Sequence, residues 1–199
     1  MIKVINDFLP KPLFKYLLTI VESELFEWNW LNDTVSQRGG DGNNMLSKTI
    51  YVYPQLTMGK GEIYDKELMP LFGMFRNFQD EHMDEENKSI QLAKLKLNLY
   101  PNFGKQIKHG VHSDMVMNGV LMPNAITSVF NFHTCNGKTN IRKEDGSDVD
   151  IPSVANSIVI FQNALHYGVT QSDTDKRIVL NMNVLKKEKD FFENLENKK

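Results

Sequence analysis

Two histidines, a carboxylate and an arginine stand out for the chemistry that their spacing allows. His112 and Asp114 form a His-x-Asp triplet inside His109-Gly110-Val111-His112-Ser113-Asp114. Two residues apart in extended chain, an imidazole and a carboxylate point to the same side. Together they offer one nitrogen and one oxygen to a divalent metal. His166 follows the strongly apolar run Ser157 to Phe161 across a short turn, Gln162 to Leu165, so a buried strand would hold it firmly. Arg177 opens a further strand-like segment. Two histidines and one carboxylate on one face leave coordination positions free for a bidentate co-substrate and dioxygen. A guanidinium supplies a fixed fork for a distant carboxylate. The triplet by itself is a weak signal, because a His and an Asp in a surface turn spell the same letters. The signal lies in the conjunction, in chain order, of triplet, distant His and strand-opening Arg.

Composition narrows the choice of metal site. The single cysteine, Cys135, can build neither an internal disulfide nor a cysteine cage, so a metal must be held by carboxylates and by some of the 5 histidines. The 199 residues, 41% hydrophobic and 24% charged with a net charge of -2, suit one globular domain. That balance argues against a general nucleic-acid binder, whose footprint would be basic. The first ten residues contain Asp7 and Pro10 and do not read as a signal peptide, and no apolar run reaches membrane-spanning length. The expectation is a cytoplasmic protein with no membrane partner.

The elements that must position these residues divide into a helical front and a strand-rich back. Asp7 and Pro10 precede Leu13, Phe14, Leu17, Leu18 and Val21, a helical spacing with a helix start before it. A second helical pattern carries Leu68, Leu71, Phe72, Phe75 and Phe78, with Pro70 near its start. Between them, Ser36 to Asn44 holds three Gly and two Asn and reads as a loop, a candidate lid together with the Tyr51-Tyr53-Pro54 region. Thr49 to Pro54 reads as a strand. Beyond residue 90, Leu95, Leu97 and Leu99 alternate with Lys96, Asn98 and Tyr100. Ile126 to Thr134, Lys138 to Ile141, Val149 to Ile151, Ser157 to Gln162 and Arg177 to Leu185 are further strands, separated by turns at Asn136-Gly137, Asp145-Gly146 and Pro152. No long helical pattern interrupts residues 90–185, which excludes a parallel sheet of βαβ units and favours an antiparallel sandwich or barrel. The last strand places Arg177, Val179, Asn181 and Asn183 on one face and Ile178, Leu180, Met182 and Val184 on the other. The polar face either meets water or lines a cavity inside the barrel. The expected organisation is a single domain over 1–199: a helical support and lid region over 1–89, a β core over 90–185 and a charged tail over 186–199.

Several stretches in order carry a family resemblance: Tyr100-Pro101 leading to His112-Ser113-Asp114; Ile126 to His133 followed by Asn136-Gly137-Lys138-Thr139-Asn140-Ile141; Asp150-Ile151-Pro152 to Phe161 and His166; and Lys176-Arg177-Ile178-Val179-Leu180-Asn181. From about Leu95 to Val184 the chain resembles the 2-oxoglutarate- and Fe(II)-dependent oxygenases, specifically their prolyl 4-hydroxylase-like branch. The resemblance implies a mainly β fold with supporting helices, a double-stranded β-helix, that is, a jelly-roll, cupin-like barrel. It implies Fe(II) on His112, Asp114 and His166, and 2-oxoglutarate held through its far carboxylate by Arg177. Tyr100 and Thr139 match positions that hydrogen-bond the same co-substrate, and Asn98, Asn131 and Asn183 would line the cavity by strand parity. The implied activity is hydroxylation of a C–H bond with dioxygen, of a prolyl residue in a peptide or protein partner, with ascorbate as an accessory reductant. The alternatives are hydroxylation of another residue or of a small molecule, and a non-catalytic barrel that only binds.

Departures from the family pattern carry information too. Asn136 replaces the first glycine of a Gly-Gly pair, which a turn tolerates because Asn accepts left-handed geometry. Asn183 stands where prolyl 4-hydroxylases often have a bulky aromatic, and also where a nucleic-acid demethylating branch has a second Arg. His109 is read as a loop residue, His133 as a strand-end or pocket residue, His82 as solvated and Cys135 as a small residue near a turn.

Overall fold

A computed structural model describes residues 1–34, 42–56, 63–117 and 120–186. The front of the chain runs β1 (Ile2–Ile5), α1 (Lys11–Glu22), β2 (Asn29–Leu31), β3 (Met45–Val52), β4 (Ile63–Tyr64), α2 (Met69–Phe72) and α3 (Phe75–Glu81). The back runs β5 (Ser89–Pro101), β6 (Val116–Met117), β7 (Val120–Leu121), β8 (Ala125–Asn131), β9 (Cys135–Arg142), β10 (Asp148–Ser153), β11 (Ser157–Gln162), β12 (His166–Val169) and β13 (Lys176–Lys186). The larger sheet has the order β1-β11-β8-β13-β5-β3-β2, with β4 on β3. The smaller one has the order β10-β9-β12, and β6 pairs with β7. Every pairing of these named strands is antiparallel.

Two apolar layers explain why the sheets stack. Ile178, Leu180, Met182 and Val184 of β13 and Leu95 and Leu97 of β5 join Phe8, Leu17, Phe72, Phe75 and Phe130 in the core beneath the helices. The opposite face contributes Tyr100, Val129, Val159, Phe161 and Val179 to a second core, where Ile141 and Ile151 arrive from the smaller sheet. The larger sheet is therefore covered on both sides, by helices outside and by the smaller sheet inside. The polar face of β13 looks into the space between the sheets, not into water.

The front is less helical than expected. β1 pairs with β11, and β2 and β3 extend the larger sheet beyond β5. The second helical pattern forms two short helices, α2 and α3, with Gly73 after the first. α1 begins after Pro10 without a side-chain cap, and Asp7 takes a positive φ of 50° instead of capping it. Asn156, at φ 59°, ties this start to the β10–β11 turn, accepting from Leu9 N at 3.0 Å and donating to Leu9 O at 2.9 Å.

Two expected turns are strand instead. β9 includes Asn136-Gly137 as the two extra residues of a bulge, between Cys135 opposite Ser153 and Lys138 opposite Pro152, and Asn136 has no left-handed backbone. Its amide holds the 172–173 loop instead: Asn136 Nδ2 donates to Ser172 Oγ at 3.0 Å and Ser172 N donates back to Asn136 Oδ1 at 2.9 Å. Pro152 lies inside β10, an edge strand with a register shift between Pro152 and Ser153, where a missing N–H does no harm. Most of the Gly-rich loop expected as a lid, and the tail beyond Lys186, fall outside the described residues. Among the described residues no helix is long and apolar enough to cross a membrane.

Candidate metal centre

β5 and β13 form the floor of the site. Their register sets Tyr100 opposite Arg177, Asn98 opposite Val179, Lys96 opposite Asn181 and Lys94 opposite Asn183. Because side chains alternate along a strand, all eight belong to one face. A cavity of about 140 Å³ opens on this face, lined by Arg177, Val179, Asn181, Tyr100, Asn98, Lys96 and Lys94 among others.

The segment after β5 and strand β12 form the wall. His112 N donates to His166 O at 2.9 Å and His166 N donates to His112 O at 2.8 Å. This pair of backbone bonds sets the imidazoles side by side, ring centroids 4.5 Å apart. Each Nδ1 faces a backbone oxygen, Gly110 O at 3.0 Å for His112 and Ala164 O at 2.9 Å for His166. A proton on each Nδ1 makes that contact a hydrogen bond and leaves each Nε2 bare. Both bare nitrogens face Asp114: His112 Nε2 is 3.7 Å from Oδ1 and His166 Nε2 is 3.7 Å from Oδ2. The three ligand atoms all lie within 4.8 Å of one another. Asn163 pins the loop that carries two of them, accepting from Ser113 Oγ at 2.5 Å and donating to Met115 O at 2.5 Å.

The electrostatics suit a cation. Burial alone would raise the Asp114 carboxyl, but His166, Lys94 and His112, with a hydrogen bond from Asn183, hold it well below the usual carboxylate range. Asn181 and Asn183 both donate to Asp114 Oδ2, at 3.3 and 3.2 Å, which fixes the carboxylate plane. His112 is held below its usual value by burial first and by His166 second, so it stays a neutral donor. A deprotonated carboxylate and two oriented imidazoles match what a divalent first-row metal requires of its ligands.

Arg177 sits at the other end of the cavity, 1% exposed. Its guanidinium donates to Ser153 Oγ at 3.3 Å, Lys138 O at 3.3 Å, Asn131 Oδ1 at 3.3 Å and Thr139 Oγ1 at 3.2 Å. All these acceptors are neutral, and among the described residues no carboxylate pairs with it. Burial lowers its pKa, against the pull of Tyr100 and Cys135, yet a guanidinium remains charged. A buried cation whose partners are all neutral is costly unless an anion arrives from outside. Gly137 makes room for it, since a Cβ there would stand 3.0 Å from Arg177 Cδ.

Of the residues picked from the sequence, His112, Asp114, His166, Arg177, Tyr100, Thr139 and Asn98 all border this cavity. Asn98 Oδ1 is buried there and has no hydrogen-bond partner among the described residues. Asn131 and Asn183 are buried but stand behind the lining, Asn131 supporting Arg177 and Asn183 supporting Asp114. Other lining residues were not picked. His109, expected in a loop, is 4% exposed and stacks on Tyr100 with ring centroids 4.9 Å apart. Lys94, Lys96 and Asn181 line the cavity; strand parity with Asn98 is the signal for the two lysines and parity with Arg177 the signal for Asn181. Leu31, Asp33 and Thr34 reach the rim from the front of the chain. Tyr51, considered for the lid, instead packs at the larger core against Tyr64. His133 lies 3.0 Å from Glu22 and accepts from Ile178 N at 3.2 Å, away from the cavity. His82 is exposed, with its ring against Phe8.

No family model matches the chain, and no curated protein sequence does. Solved structures do. A 2OG-Fe(II) oxygenase family oxidoreductase from Burkholderia pseudomallei aligns over 92% of this chain and 84% of its own, with a TM-score of 0.66 at 10% identity. A Pseudomonas putida prolyl-4-hydroxylase aligns over 94% and 92%, with a TM-score of 0.58 at 16% identity. A Trichoplax adhaerens prolyl hydroxylase, in complex with a hypoxia inducible factor peptide fragment, aligns over 93% and 83%, with a TM-score of 0.54 at 15% identity. The chain has the double-stranded β-helix fold of these oxygenases.

Proposed function

We propose that this protein is an Fe(II)- and 2-oxoglutarate-dependent oxygenase that hydroxylates a C–H bond, with a prolyl residue of a peptide or protein as substrate. One observation carries the reading: a buried arginine that has no counter-ion among the described residues opens onto the same small cavity as a cluster of two imidazoles and a carboxylate. A metal needs the cluster, and a dicarboxylate that chelates the metal at one end needs a cation at the other. When bound, Fe(II) with 2-oxoglutarate and dioxygen supplies the oxidation: one oxygen atom enters succinate as carbon dioxide is lost, and the other enters the substrate as a hydroxyl.

The chain's own residues do the positioning. His112, Asp114 and His166 hold the metal on one side, and Asn181 and Asn183 keep the Asp114 carboxylate in plane. Arg177 would receive the far carboxylate of the co-substrate, and the hydroxyls of Tyr100 and Thr139, which border the same cavity, would donate to its oxygens. Val129, Val179 and Leu31 exclude water from the same space. The prolyl assignment draws on the motif resemblance and on the prolyl hydroxylases among the structural neighbours.

The test is anaerobic addition of Fe(II) and 2-oxoglutarate, followed by air, ascorbate and a library of proline-containing peptides. A weak visible metal-to-ligand charge-transfer band before air, then succinate matched by peptide mass gain of one oxygen, is the expected result. No band and no 2-oxoglutarate consumption would favour a barrel that only binds. A band with turnover on a non-prolyl substrate would replace the prolyl assignment alone.

A further inference from the structure

The cavity contains more positive charge than metal and co-substrate chemistry uses. Its lining holds Lys94, Lys96 and Arg177 against the carboxylates of Asp33 and Asp114. Once the site is loaded, the two charges of a divalent metal and the charge of Arg177 are matched by Asp114 and the two carboxylates of 2-oxoglutarate. Lys94 and Lys96 are left facing Asp33 alone. Asp33 is already engaged within its own loop, accepting from Gly42 N at 2.8 Å. Neither lysine forms an ion pair among the described residues.

Position along the sheet separates this charge from the co-substrate's anchor. Tyr100 is the rung of Arg177, whereas Lys96 and Lys94 are the rungs of Asn181 and Asn183, the two amides on Asp114. Lys96 thus lies four residues from the Arg177 rung and Lys94 six, about 13 and about 20 Å along the strand at its usual rise. Asp114 is anchored at these same rungs, so the lysines belong to the metal end of the cavity and not to the end that anchors the co-substrate. Two ammonium groups on one inner face also repel each other. Burial, and then Lys94, pull Lys96 down to about 8 against the attraction of Asp114. A bound anion would relieve both effects.

We propose that the substrate presents an anionic oxygen group, a carboxylate or a phosphate, to Lys94 and Lys96 while its reacting carbon faces the metal. This rests on the oxygenase reading and narrows it. A neutral prolyl residue in a neutral peptide is then a poor substrate, and the accepted molecule has its own acid group or an acidic residue beside the oxidised one. The bland alternative, that the lysines merely balance Asp114, weakens once a divalent cation sits on that carboxylate.

The experiment uses matched pairs on full-length protein saturated beforehand with Fe(II) and 2-oxoglutarate under anaerobic conditions, so that Arg177 is already occupied. Free L-proline is set against L-prolinamide, proline peptides flanked by Glu against Gln, and peptides flanked by phosphoserine against serine. Binding is read by calorimetry, and after admitting air, turnover is read as succinate. The expected result is a preference of at least about ten-fold for the anionic member of one pair or more. That preference should shrink to less than about two-fold in the Lys94→Met/Lys96→Met variant and persist in Lys94→Arg/Lys96→Arg. The pair that discriminates tells whether the anion is the reacting molecule's own carboxylate, a neighbouring acidic residue or a phosphate. Equal binding of both members, binding of neither, or a preference that survives the methionine variant overturns the proposal. The visible band formed with 2-oxoglutarate keeps the two readings apart. If it forms and the pairs are equal, only the lysine inference falls; if it never forms, the oxygenase reading falls and takes the inference with it.

Discussion

His112 and His166 are hydrogen-bonded to each other twice through their backbones, at 2.9 and 2.8 Å, so the two imidazoles are set side by side by main chain alone. The consequence is preorganisation. Their Nδ1 atoms are already engaged with Gly110 O and Ala164 O, so the Nε2 atoms face Asp114 without any side-chain search.

Metal affinity should therefore fall sharply when one member of the cluster is removed. Losing a hydrogen-bond partner behind a ligand typically costs 10- to 100-fold in affinity, so losing the ligand itself should cost more than about 100-fold. Calorimetric titration of Co(II) into His166→Ala and Asp114→Ala, compared with wild type, measures this. Wild-type affinity and iron-dependent turnover in His166→Ala would sink the ligand assignment.

Arg177→Met separates stability from binding. A buried cation without a counter-ion contributes little to the fold, and its neutral partners Asn131 and Ser153 also bond each other at 3.0 Å. The ligand-free variant should melt within about 1 kcal/mol of wild type, or be more stable. Wild type should gain about 2.7 kcal/mol from 2-oxoglutarate at a hundred times its Kd, and the variant should gain almost none at the same concentration. An unchanged ligand-induced rise in Tm would remove Arg177 from the co-substrate's site.

Much of this site was legible because its signals are local. His-x-Asp brings an imidazole and a carboxylate together through closeness in the chain, and the alternation of β13 fixes which face Arg177 shares with Asn181. Less legible was the environment of that face. Lys94 and Lys96 obey the same alternation as Asn98, yet period-2 patterning cannot distinguish water from a cavity. β12 was missed because His166 to Val169 includes Gly168 and is too short to alternate. Without β12 there was no reason to bring His109 inward, although His109 N donates to Gly168 O at 2.9 Å. β1 escaped notice for a related reason: its residues are mostly exposed, and its strand state comes from pairing with β11.

Acid should loosen the metal-free protein through the same cluster. Burial and His166 hold His112 below its usual 6.5. Between its folded value and 6.5 the unfolded chain binds a proton that the folded chain does not, so stability rises with pH across that window and levels off above it. Asp114, held below its usual 3.8, contributes stability that is present above 3.8 and lost only as pH falls through its folded value. Urea midpoints from about pH 5 to about pH 7 should climb in wild type. His112→Gln should flatten that climb, and an identical slope in both would show that His112 titrates normally.

Gly137→Ala tests whether the smaller sheet sets the arginine's place. An added Cβ would stand 3.0 Å from Arg177 Cδ, 3.1 Å from Val169 O and 3.2 Å from Gln171 N. Two of these three neighbours are backbone and cannot swing aside, so relief must come from the Arg177 stem or from β9 moving away. Overpacking of this kind costs about 1–3 kcal/mol. Either movement also lengthens the contact of Arg177 with Thr139 Oγ1, now 3.2 Å, and shifts the guanidinium from the carboxylate it would receive. The variant should lose thermal stability and 2-oxoglutarate affinity together while losing less Co(II) affinity, because His112 and Asp114 lie on another segment and His166 stands at the far end of β12 from Val169. A loss of stability with co-substrate affinity intact would mean that Gly137 serves the packing of the sheet and not the position of Arg177.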